Sequence, residues 1–165
     1  PDLREASQQS MFWMKLALPL ALLAASVAGA MRLSRPGIAL GRIAAAIPLP
    51  ILAVWALAAV VLFGAAPAER VVLLFGRTWS SCPFNIAFLS VPFFAGAFWA
   101  MKGLAPTRLA VAGGFAGLMA GAAGALVYCL HCPEMSPAFL GTWYLLGMAI
   151  PATAGAILGP RLLRW

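Results

Sequence analysis

The stretch LAVAGGFAGLMAGAAGALVYCL, Leu109 to Leu130, decides the fold. It runs 22 residues without a charge. An apolar run of about 18 or more residues has the length of a helix that crosses the hydrocarbon core of a bilayer. Outward from it, four further runs of the same kind occupy residues 11–31, 43–65, 83–101 and 138–158. Of the 165 residues, 64% are apolar and 9% are charged, and the mean hydropathy is +0.97. That composition leaves no room for a water-soluble core.

The runs read as helices rather than barrel strands, because their hydrophobicity is continuous and lacks the in-out alternation of a transmembrane strand. A helix also pairs every backbone donor and acceptor within one segment, which hydrocarbon demands. Pro19, Pro48, Pro50, Pro92 and Pro151 lie inside the runs and predict local kinks. The expected architecture is an all-α polytopic bundle, five spans in a single integral-membrane unit over residues 1–165. Between the second and third runs, residues 68–76 are too short to span, and they predict a short helix lying in the membrane interface. Residues 1–10 form a polar lead-in, and Arg35-Pro36-Gly37 predicts a tight turn. In the 109–130 run, Gly113, Gly117 and Gly121 recur every four residues, a small-residue face for close helix packing within the chain.

Charge predicts the orientation. The connection after the first run carries Arg32, Arg35 and Arg42, the one after the third carries Lys102 and Arg108, and the C-terminal tail carries Arg161 and Arg164. None of these segments holds an acid. The alternate segments hold all four acids, Asp2, Glu5, Glu69 and Glu134, against Arg4, Lys15, Arg70 and Arg77. The net charge of +7 therefore belongs wholly to alternate connections, the pattern of the positive-inside rule. It predicts a multi-pass membrane protein with the N-terminal end outside and the C-terminus inside. The high pI follows from topology, and direct nucleic-acid binding is not expected. Phe12, Trp13 and Lys15 are expected at the outer end of the first span as an aromatic belt with a snorkelling cation.

Chemistry is scarce. The runs hold no mid-membrane acid, which weakens a transporter reading, and a single histidine rules against an acid-base triad. What remains is sulfur. Cys82 opens a Cys-Pro step before the third span, and Cys129, His131 and Cys132 cluster after the fourth, where Cys132 opens a second Cys-Pro step. Both steps are predicted on the outer face, within reach of an impermeant thiol reagent. Three roles stay open: a static bridge or inert packing, a redox switch, and a soft-metal site (copper or zinc) using Cys82 and Cys132 with His131 and Met135. Cys129, one apolar turn inside, is expected to pack.

The blocks Ser81-Cys82-Pro83-Phe84-Asn85-Ile86-Ala87 with Val91-Pro92, Tyr128 through Glu134, Ser136-Pro137-Ala138-Phe139, Thr142-Trp143-Tyr144 and Gly159-Pro160-Arg161-Leu162-Leu163-Arg164-Trp165 resemble the NrsF-like family. Its members are integral-membrane anti-sigma factors of proteobacteria, so the resemblance implies a bacterial inner membrane, with the N-terminal end of this chain periplasmic and its C-terminus cytoplasmic. The resemblance implies a membrane stress sensor that restrains an extracytoplasmic-function sigma factor of the F type, with Cys82 and Cys132 as its signal-sensing pair for metal or oxidant. It also implies six spans and a cytoplasmic N-terminal segment that engages the sigma factor. Pro1-Asp2-Leu3-Arg4 is similar to the loop after the family's first helix, so a sixth, N-terminal span is expected upstream. No enzymatic activity is expected. The alternative of another class is a membrane thiol oxidoreductase coupled to quinone, which needs two thiol pairs where this chain has three cysteines.

Overall fold

Proline sets where four of the eight α-helices among the described residues begin. The computed structural model describes residues 10–35, 40–104 and 106–164. Its elements are α1 (Ser10–Leu33), α2 (Ile43–Ala46), α3 (Pro48–Gly64), α4 (Pro67–Phe75), α5 (Cys82–Lys102), α6 (Leu109–Cys129), α7 (Pro137–Phe139), a π-helical turn (Leu140–Tyr144) and α8 (Leu145–Leu162). Pro48, Pro67, Pro83 and Pro137 fall in the first turns of α3, α4, α5 and α7. There a missing N–H forfeits no intrahelical bond and the fixed φ suits the helix. Among the described residues no strand forms, and the class is all-α. Five stretches are long and apolar enough to cross a membrane: Met11–Leu33, Ile43–Gly64, Cys82–Lys102, Leu109–Cys129 and Pro137–Leu162. The polar lead-in and the Arg35-Pro36-Gly37 turn fall largely outside the described residues.

Two runs depart from their expected form. The second breaks at Ile47 between α2 and α3, because neither Pro48 nor Pro50 can donate to the preceding turn. The last continues to Leu162, through Gly159 and Pro160, instead of ending at residue 158. Packing overrides the breakers: Gly159 lies so close to α6 that a Cβ there would meet the Leu109 carbonyl, and Leu163 N–H closes on the Gly159 carbonyl at 2.9 Å.

α6 is the central helix. It packs against α8, α5 and α1, and 56% of its most apolar window is buried within the protein, against 6% for the Ile43–Gly64 stretch. Lipid chains are as apolar as leucine, so helices associate through close packing. The glycine face supplies it. A Cβ on Gly113 or Gly117 would strike the backbone of Gly155 or Pro151, and one on Gly124 would lie 2.8 Å from Ile86 O and Ser90 N of α5. α3 is held at the rim, where Trp55 Nε1–H donates to the Gly141 carbonyl in the π-helical turn at 2.8 Å.

Two apolar clusters divide the bundle lengthwise. One joins Leu18 and Leu22 of α1 to Cys82, Ile86, Tyr128, Cys129, Cys132, Phe139 and Tyr144. The other joins Ala30 and Leu33 of α1 to Phe98, Met101, Ala112, Phe115 and Leu163. The helix ends bearing Arg32, Lys102, Arg108 and Arg161 all lie at this second end, away from the cysteines.

Candidate functional site: a buried thiol cluster under a polar latch

Helix termini bring the cysteines together. Cys82 is the first residue of α5, started by Pro83, and Cys129 is the last of α6. Beyond Cys129 the chain makes one more turn, with His131 N–H and Cys132 N–H both donating to the Tyr128 carbonyl at 3.0 and 2.9 Å. Pro133 then ends the helical run, since the residue before a proline is pushed toward extended backbone. This last turn points Cys132 inward and leaves His131 exposed.

All three cysteines are free thiols in one apolar cluster, with relative exposures of 0% for Cys82, 2% for Cys129 and 5% for Cys132. Two residues tie Cys82 to Cys132. Thr78 O accepts the Cys82 N–H at 2.9 Å while Thr78 Oγ1 stands 3.9 Å from Cys132 Sγ. Tyr128 packs with Cys82 and Cys132 in the same buried cluster. The Tyr144 hydroxyl is buried without a hydrogen-bond partner of ordinary length, with Cys129 and Cys132 as polar neighbours. The thiols are therefore not open on the outer surface, as the sequence reading had them. The loop that carries Cys132 folds under its neighbours.

The 76–81 connection lies beside the cluster through Thr78, and α4 leads into it. Glu134 accepts the Arg77 backbone N–H at 2.7 Å and the Thr78 hydroxyl at 3.5 Å. Gly76 ends α4 with φ 54° and ψ −153°, a region nearly restricted to glycine, and a Cβ there would lie 2.5 Å from Glu134 Oε2. Rings lock the other side. Phe75, Trp79 and Trp143 form a triangle with centroids 5.2 to 5.8 Å apart, and Trp143 Nε1–H donates to Leu74 O at 2.9 Å. Thr78 and Glu134 are thus the polar latch beside Cys132.

Lys15 departs furthest from expectation. It does not snorkel to water. Its side chain is fully buried, Nζ–H donates to the Cys132 carbonyl, and Nζ stands 5.9 Å from the centroid of the Tyr144 ring. Phe12 is likewise buried, and Trp13 alone of the three is exposed. The reason is geometric: the turn after α6 overhangs α1 and offers a carbonyl nearer than solvent.

Of the four expected metal donors, the structure gathers Cys82 and Cys132 in one buried cluster. Among the described residues no group of three or more His, Cys, Asp or Glu side chains is placed to hold a metal ion. His131 is exposed and Met135 half-buried, while Cys82 and Cys132 lie inside. Cys82 and Cys132 meet through Thr78 and Tyr128; His131 and Met135 do not join them. Sequence reasoning missed Lys15, Thr78, Tyr128, Glu134 and Tyr144. The signals available were a cation inside an apolar run and an acid beside the second Cys-Pro step.

Comparison with known proteins places this architecture. The family model described as "Negative regulator of sigma F" matches residues 1–165. The "Probable anti-sigma-F factor NrsF" of Azospira oryzae is 53% identical over 164 residues, covering 99% of this chain and 77% of that protein. The "Anti-sigma-F factor NrsF" of Caulobacter vibrioides is 38% identical over 167 residues, covering 100% of this chain and 78% of that protein. No solved structure matches significantly. The chain belongs to the NrsF family of negative regulators of sigma F.

Proposed function

We propose that the chain is a multi-pass inner-membrane anti-sigma factor that restrains an extracytoplasmic-function sigma factor of the F type. The observation that carries the regulatory reading is the match along all 165 residues to negative regulators of sigma F. Sigma binding is assigned to a cytoplasmic segment N-terminal to these residues. The periplasmic end is the thiol end and the cytoplasmic end is the cation-rich one, supported by the alternation of charge along the connections.

The sensing part of the proposal rests on Cys82 and Cys132. Their convergence in one buried cluster beneath the Thr78–Glu134 latch supports a thiol-reactive input, an oxidant or a soft metal ion. With peroxide as the oxidant, both thiols lose their hydrogens, one S–S bond forms, and the O–O bond breaks to give two waters. The residues found fit this two-thiol chemistry better than a copper or zinc site built with His131 and Met135. For regulation, the reacted state has to favour a second helix arrangement by a few kcal/mol. An oxidoreductase with two separate thiol pairs finds no support in three cysteines gathered in one cluster.

The test is a sigma-F-dependent reporter with the full-length protein in its membrane, induced by peroxide or by copper or zinc salts. Cys82→Ser and Cys132→Ser should each keep the reporter off at normal membrane abundance. The double variant should match either single one, because the two act as one site. Cys129→Ser should respond as the parent does. Full induction in Cys82→Ser at normal abundance would refute the sensing role.

A further inference from the structure

Lys15 is the one fully buried cation among the described residues, and it lies in the thiol cluster. An ionisable side chain inside the membrane is costly to place there and marks function by default. Its setting is specific. The side chain donates to the carbonyl of Cys132, and its own backbone carbonyl accepts the thiol of Cys129 at 3.7 Å. One residue of α1 is thus tied from both its side chain and its backbone to the two cysteines that bracket the last turn after α6. The amine stands 5.9 Å from the centroid of the Tyr144 ring, and both side chains are fully buried.

α1 reaches both ends of the molecule. Leu18 and Leu22 lie in the thiol cluster, and Ala30 and Leu33 lie in the cluster at the cation-rich end. A change of backbone at Cys132 moves its own carbonyl, which is the atom Lys15 holds. We propose that Lys15 is a positioning residue that relays the state of Cys132 to α1, holding the helix in the restraining arrangement while the site is reduced and releasing it when the site reacts. This rests on the sensing role of Cys82 and Cys132 proposed above.

The test uses the full-length protein in membranes, with hydrogen peroxide as the probe. Lys15→Met keeps the length and apolar stem but removes the donor; Lys15→Arg restores one. Three readouts are taken together: reporter induction, the fraction of Cys82 and Cys132 protected from alkylation, and amide exchange over residues 11–16. Lys15→Met should oxidise at Cys82 and Cys132 as the parent does, yet leave the reporter on without peroxide and so lose at least tenfold in peroxide-dependent induction, with Lys15→Arg recovering part of the restraint; a Lys15→Met reporter that stays off with and without peroxide overturns the holding role. In the parent, oxidation should speed amide exchange over residues 11–16. Parental induction in Lys15→Met overturns the relay, and so does a variant whose thiols no longer oxidise, since Lys15 would then serve the chemistry itself. If Lys15→Met fails to accumulate, unchanged exchange over residues 11–16 in the oxidised parent still overturns it. Failure of the underlying reading looks different: Cys82→Ser and Cys132→Ser would respond to peroxide like the parent.

Discussion

Replacing Gly117 with alanine tests whether the α6–α8 contact is as close as the structure has it. A Cβ at Gly117 would strike the Pro151 carbonyl oxygen and stand 2.8 Å from Pro151 C and 2.9 Å from Ala152 Cα. These are backbone atoms, so no side chain can swing aside. Carbon atoms prefer about 3.5–4.0 Å, so α8 must retreat by roughly 0.7–1 Å to relieve the two carbon contacts and further to relieve the carbonyl oxygen. Overpacking of this kind costs about 1–3 kcal/mol, while alanine returns up to about 1 kcal/mol of helix propensity. The net expectation is a loss of about 1–2 kcal/mol. Two other glycines of the bundle serve as controls. Gly96 has nothing within 4 Å of an added Cβ, and Gly114 would place one at 3.5 Å from the Ala156 methyl, an ordinary contact. Gly96→Ala and Gly114→Ala should be neutral or more stable. Reversible unfolding of the purified proteins in mixed detergent micelles, followed by the fluorescence of the six tryptophans, gives the comparison. If Gly117→Ala were as stable as Gly96→Ala, the backbone-to-backbone packing would be refuted.

The latch makes its own prediction. Gly76→Ala forces a side chain into a glycine conformation and against the Glu134 carboxylate, at a cost of about 1–3 kcal/mol, and should speed alkylation of Cys132 by an impermeant maleimide severalfold. Glu134→Gln keeps the shape but weakens the bonds to Arg77 and Thr78, so a smaller rise is expected; protection as in the parent in both variants would remove the latch from the account. Topology is checked by reporter fusions after Arg42, Lys102 and Trp165, all expected in the cytoplasm. A periplasmic signal at the C-terminus would reverse the proposed orientation of the thiol end.

The spans were legible because a long uncharged run has one stable solution in hydrocarbon, and nothing else in the chain competes with it. The glycine spacing of α6 was legible for a similar reason: residues four apart share a face whatever the neighbour is. The site was legible only in part. Cys82 and Cys132 stand out by rarity, but whether His131 or Cys132 turns inward depends on one turn of helix beyond Cys129, set by Pro133 and by what lies beneath. Lys15 reads as a snorkelling cation since it sits one turn from the helix start beside Trp13; its burial is decided by the 129–137 connection, more than a hundred residues away in sequence. The docking of Glu134 on Gly76 and Arg77 is equally non-local, and no periodicity reports it.

The packing also says which helix is free to carry a change between the two ends. α6 and α8 meet backbone to backbone along Gly113, Gly117, Gly155 and Gly159, and a contact without side chains has no alternative rotamers to adopt. α1 meets α6 differently. At the cation-rich end Gly29 is covered by the ring of Phe115, a side chain that can turn, and at the thiol end the side chains of Leu18 and Leu22 pack beside the polar tie of Lys15. A rigid pair and one helix seated on adjustable groups form the arrangement in which a local event displaces the third helix and leaves the pair in place. The proposed thiol chemistry would act at the end of that pair, on the turn that α1 grips. Movement of α1 is therefore the output this architecture favours, and α1 delivers it beside Arg32 and Arg35 at the end opposite the cysteines.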